Sequence, residues 1–321
     1  MIIGQSSDLH SGAPGVLAYR LVDTAACLRR CVAHILALRQ QPDLGVVTGD
    51  LTDSGRAEAY AHLRELLSPL SMPVYLLPGN HDERGALRAA FRDHAYLRQT
   101  NGFIQYAIDA GPLRLIALDT VIPGASGGEL DAARLSWLET RLAEASERPT
   151  VILMHHAPFP TGIGSMDRIG LAGRAPLEAI VRRYPRIERI LCGHLHRPIQ
   201  ARFGGTIAST SPSPAHQVVL DLDPDAPLRL TPEPPGFQLP WWPAAVGPVA
   251  HTPLTGHFPR QCSPKISAGL CDCRYTTPGD CCDRGALASS RSCWGTAGPA
   301  ETCHTNPHAD IVGHPTGRRL G

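Results

Sequence analysis

The sequence predicts a layered α/β sandwich, and three features of the 321-residue chain support this prediction. The first half alternates short apolar runs with amphipathic segments, which indicates a repeated order of strand, loop and helix. The second half is richer in strands, and these follow one another as hairpins, which favours a layered sandwich over a barrel. Several apolar strands also run directly into loops that contain Asp, Asn or His, as strands do where open α/β sheets build sites at their carboxyl edges.

The first 48 residues contain two predicted strands with a helix between them. Residues 1–7 form a short first strand, although its last three residues are polar. Residues 22–39 place leucine, valine and isoleucine on one stripe at helical spacing. Residues 44–48 are a second apolar strand, which ends at Gly49-Asp50.

The alternation of helix and strand continues as far as residue 118. A second helix is expected over 58–67, a third strand over 73–77 and a third helix over 84–91. Residues 103–108 and 113–118 form a predicted hairpin, because the Asp-Ala-Gly-Pro sequence between them is typical of a turn.

Further helices and strands follow in the same order. Residues 131–145 carry leucines on one helical face, and residues 177–183 are a further helix. Between and after these helices, residues 151–154 and 187–192 are apolar strands that each run into a histidine-containing loop. The last predicted strands cover residues 207–209 and 217–222.

The chain changes character near residue 260, and we place a boundary there between a domain at 1–259 and a tail at 260–321. From residue 224 proline becomes frequent and predicts extended segments. The tail is rich in Cys, Gly and Pro and has no credible helix or strand, so it is expected to be irregular or disordered. Two explanations remain open, a disordered extension and a read-through of a GC-rich gene in a shifted frame, and we favour the second.

Residues able to bind a metal follow the apolar strands in five places. The five motifs are Asp8-Leu9-His10, Gly49-Asp50, Gly79-Asn80-His81-Asp82, His155-His156 and Gly193-His194-Leu195-His196. Each motif alone is equally compatible with a capped turn or a solvated loop. Their recurrence directly after strands indicates one shared site at the carboxyl edge of the sheets.

The residue types indicate which metals this site would take. Carboxylate, imidazole and amide ligands suit Mn²⁺, Fe²⁺, Zn²⁺ or Co²⁺, and the absence of thiolates from the motifs argues against a structural zinc site. Seven ligands are too many for one ion. They fit two divalent ions about 3.5–4 Å apart that share one carboxylate and a hydroxide.

In order and approximate spacing, the five motifs resemble those of the calcineurin-like metallophosphoesterase superfamily over roughly residues 1–259. Within it the chain looks most like the bacterial branch of class III cyclic-nucleotide phosphodiesterases and glycerophosphodiesterases. Asp53, Met166-Asp167 and Ala215-His216-Gln217-Val218 are further matches to that branch. The resemblance implies a four-layer α/β/β/α sandwich. It also implies hydrolysis of small phosphodiesters (cyclic nucleotides, glycerophosphodiesters or dialkyl phosphates) by a hydroxide that bridges two metal ions.

The resemblance also implies a role for each matching position. One ion would be bound by Asp8, His10, Asp50 and His196, and the other by Asp50, Asn80, His155 and His194. Asp50 would therefore bridge the two ions. His81 would lie beside the scissile phosphate, where it would stabilise charge or protonate the leaving alkoxide.

Supporting and lining roles follow in the same way. Asp82 and His156 would orient the ligands without binding metal themselves. Whether His155 or His156 is the ligand stays open, because the chain has His-His-Ala-Pro where the family commonly has His-His-Pro-Pro; we favour His155, which directly leaves the strand. His216, Met166 and Asp167 would line the substrate.

Composition limits the other functions. A net charge of +1 gives no electrostatic reason to expect nucleic acid or an anionic membrane as a partner, and no run approaches the ~18–20 apolar residues of a membrane span. The first residues lack the pattern of a signal peptide, so a cytoplasmic location is expected. The expected partner is a small phosphodiester, and the resemblance suggests a homo-oligomer.

Alternative functions on the same fold are a phosphomonoesterase and a nuclease that acts on DNA ends. The nuclease is disfavoured because the sequence has no basic stripe. A non-catalytic metal-binding scaffold would be expected to have lost ligands, and none of the motif ligands is lost.

Overall fold

The computed structural model describes residues 1–243 and 247–256. In this part of the chain the helices are α1 (Thr24–Leu36), α2 (Ala57–Leu67), α3 (Arg84–Ala90), α4 (Ala132–Ala143), α5 (Gly164–Asp167) and α6 (Arg174–Arg183), with a 3₁₀ helix at Ala95–Arg98. The strands are β1 (Ile3–Ser6), β2 (Leu44–Thr48), β3 (Val74–Leu77), β4 (Tyr106–Ala110), β5 (Leu113–Leu118), β6 (Gly128–Glu129), β7 (Thr150–Met154), β8 (Leu171–Ala172), β9 (Ile187–Cys192), β10 (Gln200–Phe203), β11 (Thr206–Thr210), β12 (Gln217–Val218), β13 (Leu230–Thr231), β14 (Leu239–Trp241) and β15 (Val249–His251). The tail predicted over residues 260–321 lies outside the described residues.

Two sheets carry the fold. The first contains β1, β2 and β3 in that order, all parallel. The second has the order β10-β11-β9-β7-β5-β4, in which the four inner strands are parallel and the two edge strands are antiparallel. The carboxyl ends of β1, β2, β3, β7 and β9 are the points from which the predicted metal motifs leave the sheets.

The alternation of side chains along β5 and β7 separates the two hydrophobic cores. Leu115 and Val151 belong to the core that packs against the first sheet, α1 and α2, whereas their neighbours Ile116 and Ile152 belong to the core beneath α4 and α6. Successive residues of a strand point to opposite faces, so one apolar strand serves both cores. The layers are therefore α/β/β/α, which confirms the predicted four-layer sandwich.

The polar end of the first strand has a structural role. Gln5 is fully buried, and its Nε2 donates to Thr48 Oγ1 at 3.2 Å and to the Cys192 carbonyl oxygen at 2.9 Å. This side chain therefore joins the two sheets. On the outer edge of β1, Gln5 and Gln238 exchange backbone hydrogen bonds of 2.8 Å, so the later, proline-rich part of the chain covers this edge.

Two predicted strands differ from the observed ones for identifiable reasons. The strand predicted from residue 103 begins only at Tyr106, because the Ile104 amide donates instead to Asp119 Oδ2 at 2.7 Å. The strand predicted over 217–222 is limited to Gln217–Val218, since Leu220 and Leu222 are 58% and 65% exposed and do not supply the buried face that their spacing suggested.

A buried ion pair fixes the end of β5. Asp119 is fully buried and accepts from Arg84 Nε and Nη2 at 2.7 and 2.8 Å. Its oxygens also accept from the amides of Ile104 and Val121. Asp119 therefore ties α3 to the second sheet.

In the described ranges no helix is long and apolar enough to cross a membrane.

Candidate metal centre

The seven predicted ligands meet at one edge of the two sheets, on loops that follow five different strands. All except Asn80 are buried, and five of them adopt positive φ angles although none is glycine. These five are Asp8 (55°), His10 (44°), Asp50 (48°), His194 (71°) and His196 (51°). Left-handed backbone costs about 1–3 kcal/mol for such a residue and persists where the surroundings enforce it, as at ligand-binding sites.

The loops enforce these angles by bonding to one another. The Asp8 amide donates to the Gly49 carbonyl oxygen and the His10 amide to the Asp50 carbonyl oxygen, both at 3.0 Å. The His194 amide donates to Asp8 Oδ1 at 3.0 Å. The loops that carry Asp8, His10, Asp50 and His194 are therefore held by hydrogen bonds to one another.

Two motif glycines are required by close packing at this edge. Gly49 has a φ of +91°, and a Cβ atom there would lie 2.6 Å from His155 Cγ. A Cβ atom on Gly79 would lie 2.8 Å from His155 Cε1 and closer still to the Asp50 backbone nitrogen and Oδ1. The glycines of Gly49-Asp50 and Gly79-Asn80 thus leave room for the ligands that they precede or face.

The first group of ligands brings Asp8, His10, Asp50 and His196 together, with their ligand atoms within 4.8 Å of one another. His10 Nε2 lies 3.6 Å from Asp50 Oδ2, and His196 Nε2 lies 3.7 Å from Asp8 Oδ1. The Nε2 atoms of His10 and His196 are 3.2 Å apart.

The second group lies on the other side of Asp50. Asn80 Oδ1 is 3.1 Å from both His155 Nε2 and His194 Nδ1. His155 Nε2 is also 3.4 Å from Asp50 Oδ1. Asp50 therefore faces the first group with Oδ2 and the second with Oδ1, an arrangement in which one carboxylate can be shared by two ions.

The outer nitrogens of the histidines are committed to carbonyl oxygens. His155 Nδ1 donates to Thr48 at 2.9 Å, and His196 Nδ1 donates to His216 at 3.0 Å. His194 Nε2 donates to Ile169 at 3.1 Å. These bonds orient the three rings and direct their inner nitrogens towards the cluster, as in metal-binding histidines.

The cluster has the unsatisfied groups that a cation would satisfy. Asp8 Oδ2 is buried and has no hydrogen-bond partner among the described residues. The inner nitrogen of His196 carries a lone pair that faces His10 Nε2, an arrangement that repels unless a proton or a cation lies between them. The donor set of imidazoles, carboxylates and one amide therefore fits two divalent ions.

Burial and charge shift the pKa values of these groups in different directions. Burial raises the pKa of Asp8 to about 6 and holds the pKa values of His194 and His196 well below normal. Burial opposes ionisation of Asp50 as well, but His155 and His10 outweigh it and keep the Asp50 pKa well below its usual value. Asp50 is thus the carboxylate that stays ionised between the two groups.

His81 stands at the open side of the cluster. Its side chain is 34% exposed, its amide donates to Asp50 Oδ1 at 2.9 Å, and its Nδ1 donates to the Asp53 carbonyl oxygen at 3.1 Å. The Asp53 carboxylate lies 3.3 Å from His10 Nδ1. Asp53 therefore holds both histidines, a role that its position three residues after Asp50 could have suggested.

Asp82 lies beneath the site, where it connects two of its loops. Its carboxylate accepts from the amides of Leu51, Thr52 and Gly79 and from the hydroxyl of Tyr60, at 2.8–3.1 Å. The Asp50 loop and the Asn80 loop are held in register through this one side chain.

His155 and His156 directly follow β7, and both rings lie near that of His194, with centroid distances of 5.1 and 4.5 Å. His155 faces the ligands, whereas His156 places Nδ1 2.8 Å from Thr120 Oγ1 and donates Nε2–H to the Ser126 carbonyl oxygen at 3.1 Å. Burial lowers the pKa of His156 to about 3. This geometry favours His155 over His156 as a ligand.

His216 adjoins the first group of ligands. Its ring centroid is 4.8 Å from that of His196 and 5.3 Å from that of Tyr19, which packs edge-on against it. It is 2% exposed, and neither ring nitrogen has a hydrogen-bond partner within the described ranges. The lining position of His216 stays a prediction.

Met166 and Asp167 lie in the loop that follows β7, and the lining positions stay predictions for both. Met166 is 4% exposed and belongs to the core beneath α4 and α6. The Asp167 carboxylate accepts from the amides of Thr161 and Gly162 and from the Thr161 hydroxyl, so it closes its own loop. Both side chains stabilise the loop that follows β7.

Comparison with known proteins places this geometry in a family. Residues 1–198 match the calcineurin-like phosphoesterase family. A probable glycerophosphodiester phosphodiesterase of Arcobacter nitrofigilis is 38% identical over 80% of this chain and 94% of its own length. A probable cyclic nucleotide phosphodiesterase of Rhodopseudomonas palustris is 36% identical over 72% of this chain and 84% of its own length.

A more distant relative and a solved structure agree with this placement. The 3′,5′-cyclic adenosine monophosphate phosphodiesterase of Escherichia coli K12 is 31% identical over 65% of this chain and 74% of its own length. Among solved structures, a dimetal phosphatase from Danio rerio superposes with a TM-score of 0.57, covering 78% of this chain and 98% of that one at 17% identity. At that identity the superposition shows a shared fold.

Proposed function

The chain belongs to the calcineurin-like phosphoesterase family, and we propose that it hydrolyses small phosphodiesters at the binuclear centre described above. Its relatives named as glycerophosphodiester and cyclic nucleotide phosphodiesterases support metal-dependent hydrolysis of a phosphodiester bond. The observation that carries the proposal is the division of the Asp50 carboxylate, with one oxygen facing each group of ligands.

We assign the ligands as follows. Asp8, His10, Asp50 and His196 would hold one ion, and Asp50, Asn80, His155 and His194 would hold the other. Two such ions supply Lewis-acid stabilisation of phosphate oxygens and lower the pKa of bound water to about 7. Mn²⁺, Fe²⁺, Zn²⁺ and Co²⁺ all suit this donor set.

The side chains around the ligands would position the diester. His81 commits Nδ1 to the Asp53 carbonyl oxygen, so its Nε2 is the atom available to a phosphate oxygen or to the leaving alkoxide. His216 offers a second imidazole on the side of His10 and Tyr19. Asp82 and His156 contribute by holding the loops, because their polar atoms are bonded to groups outside the ligand sets.

The natural substrate is proposed at the level of chemical class: a cyclic nucleotide, a glycerophosphodiester or a dialkyl phosphate. A cytoplasmic location and a homo-oligomeric state remain predictions from the sequence.

The test is hydrolysis by the full-length protein reconstituted with Mn²⁺, with bis(p-nitrophenyl) phosphate compared with p-nitrophenyl phosphate. We expect a strong preference for the diester. A preference for the monoester would keep the metal centre and move the function to a phosphatase.

A pair of variants tests the shared carboxylate. Asp50→Ala removes the one group common to both ligand sets, so bound metal and diester hydrolysis should be lost together. Asp93→Ala is the matched control, because Asp93 forms an exposed ion pair with Arg64. Retention of diester hydrolysis by Asp50→Ala would show that the two-metal assignment is wrong.

A further inference from the structure

A buried guanidinium without a partner lies in the second sheet, away from the metal centre. Arg189, on β9, is only 6% exposed, yet it has no hydrogen bond or ion pair with any described residue, and its Nη1 is fully enclosed. Burial lowers the pKa of this guanidinium. Buried charges are costly unless they are paired or bind a ligand, so the isolation of Arg189 requires an explanation.

The strand register places a second arginine beside it. Arg189 on β9 is aligned with Ile207 on β11, and Ile207 is aligned with Arg202 on β10. Aligned residues of adjacent strands project from the same face of a sheet. Arg189, Ile207 and Arg202 therefore form a row, with neighbouring strands about 4.8 Å apart and the two guanidiniums on either side of an isoleucine.

This row lines a cavity of about 820 Å³, which is closed on other sides by the 203–206 turn, the end of α6 and residues 247–249. Its two acidic side chains already have partners. Glu178 pairs with Arg182, and Glu188 lies 3.5 Å from Arg186. Arg189 and Arg202 are the lining charges left without a described partner, so the cavity carries uncompensated positive charge.

The cavity is separate from the metal centre. Arg189 precedes the carboxyl end of β9 at Cys192 by three residues, which corresponds to about 10 Å of extended strand. The cavity opens near the amino-terminal half of β9, whereas the metal ligands follow its carboxyl end.

We propose that this cavity is an anion-binding site, in which Arg189 and Arg202 hold the phosphate or carboxylate group of a small molecule. Guanidinium groups form paired, charge-assisted hydrogen bonds with both kinds of oxyanion. Ile207 and the neighbouring Ile187, Pro248 and Val249 provide an apolar wall for the rest of such a molecule. The site is independent of the hydrolytic function and does not use its residues.

The test measures the binding of inorganic phosphate and of acetate to the metal-loaded protein by calorimetry and by the shift in melting temperature, with chloride at matched ionic strength as the reference. Arg189→Met keeps the bulk of the side chain and removes its charge. It should weaken binding at this site by roughly tenfold or more, since a hydrogen bond to a charged group contributes about 1.5–3 kcal/mol. Arg202→Gln, at an exposed position, should weaken the same site.

Controls separate this site from the metal centre, where phosphate also binds. Arg183→Met changes an arginine of α6, the helix whose end closes the cavity. Arg183 pairs with Glu139 and does not line the cavity, so this variant should bind anions as the wild type does. All three variants should retain diester hydrolysis and two bound ions. Phosphate bound at the metal centre alone would give one class of site, unchanged by Arg189→Met.

The outcomes distinguish an anion site at Arg189 and Arg202 from anion binding at the metal centre alone. Loss of one class of site in Arg189→Met and Arg202→Gln supports the proposal, and the anion that gives the larger effect identifies the ligand as a phosphate or a carboxylate. If neither anion stabilises the wild type beyond chloride, or if Arg189→Met leaves binding unchanged, the proposal is wrong. A fall in melting temperature of Arg189→Met without any anion effect would show that a group of the chain itself already pairs with Arg189.

Discussion

Gly79→Ala tests whether the metal centre depends on close packing at Gly79, a residue that supplies no ligand atom itself. The added Cβ would lie 2.8 Å from His155 Cε1, about 0.7 Å inside the ~3.5 Å at which carbon atoms normally meet. It would approach the Asp50 backbone nitrogen and Oδ1 more closely still. Neither neighbour can yield easily, because Asp50 is held on a strained loop and His155 is bonded to Thr48.

We expect Gly79→Ala to reduce metal binding and hydrolysis more than it reduces the free energy of unfolding. Relieving the overlap requires Asp50 or His155 to move by roughly 1 Å, and a displacement of that size at a reacting centre costs about 100-fold in rate. Overpacking of this kind lowers the free energy of unfolding by about 1–3 kcal/mol. We therefore expect a folded protein that binds fewer than two ions per chain and hydrolyses bis(p-nitrophenyl) phosphate about 100-fold more slowly.

Metal content would be measured by elemental analysis after Mn²⁺ reconstitution, and stability by urea denaturation. Gly247→Ala is the matched control, because an added Cβ there meets no atom within 4 Å. If Gly79→Ala retained two ions and hydrolysed the diester within a fewfold of the wild-type rate, the packing argument would be refuted.

Three further predictions address the neighbours of the site. His155→Ala should lose one bound ion, whereas His156→Gln should keep both, because only His155 faces Asn80 and Asp50; equal metal loss in both variants would contradict this assignment. Arg84→Met should lower the free energy of unfolding by about 3 kcal/mol, because it leaves the buried Asp119 carboxylate without its cation, whereas Arg64→Met, at an exposed pair, should have little effect in the same urea titration. Removal of the ions by a chelator should lower the melting temperature by roughly 5–10 °C if they were present at about 100 times their dissociation constant, and an unchanged melting temperature would show that no ion binds the folded protein.

The sequence determined the order of the main strands along the chain and the residue types of the site. Apolar runs end directly at the motif residues, and parallel strands bring their carboxyl ends to one edge, so the ligands could be assigned to one cluster without coordinates. The sequence left open which of the two histidines after β7 is the ligand and favoured His155. The hydrogen bonds of His156 to Thr120 and Ser126, which only the structure shows, support that preference.

The sequence was misleading where local pattern and burial disagree. Leu220 and Leu222 have the alternation of a strand but lie exposed, and the strand ends at Val218. The spacing of residues along a chain does not determine which layer packs on each face of a sheet. The burial of these side chains therefore depends on packing between elements.

Only the tertiary structure decided how the predicted ligands are arranged and bonded. The two oxygens of Asp50 are divided between the two groups because loops from both sheets meet around that side chain. Three histidine rings are oriented by carbonyl oxygens of Thr48, Ile169 and His216, which no side-chain motif records. The row formed by Arg189, Ile207 and Arg202 likewise depends on strand pairing between residues distant in sequence. Sequence specifies which groups are present at the ends of strands, whereas distances, protonation and pairing depend on contacts between segments that only folding brings together.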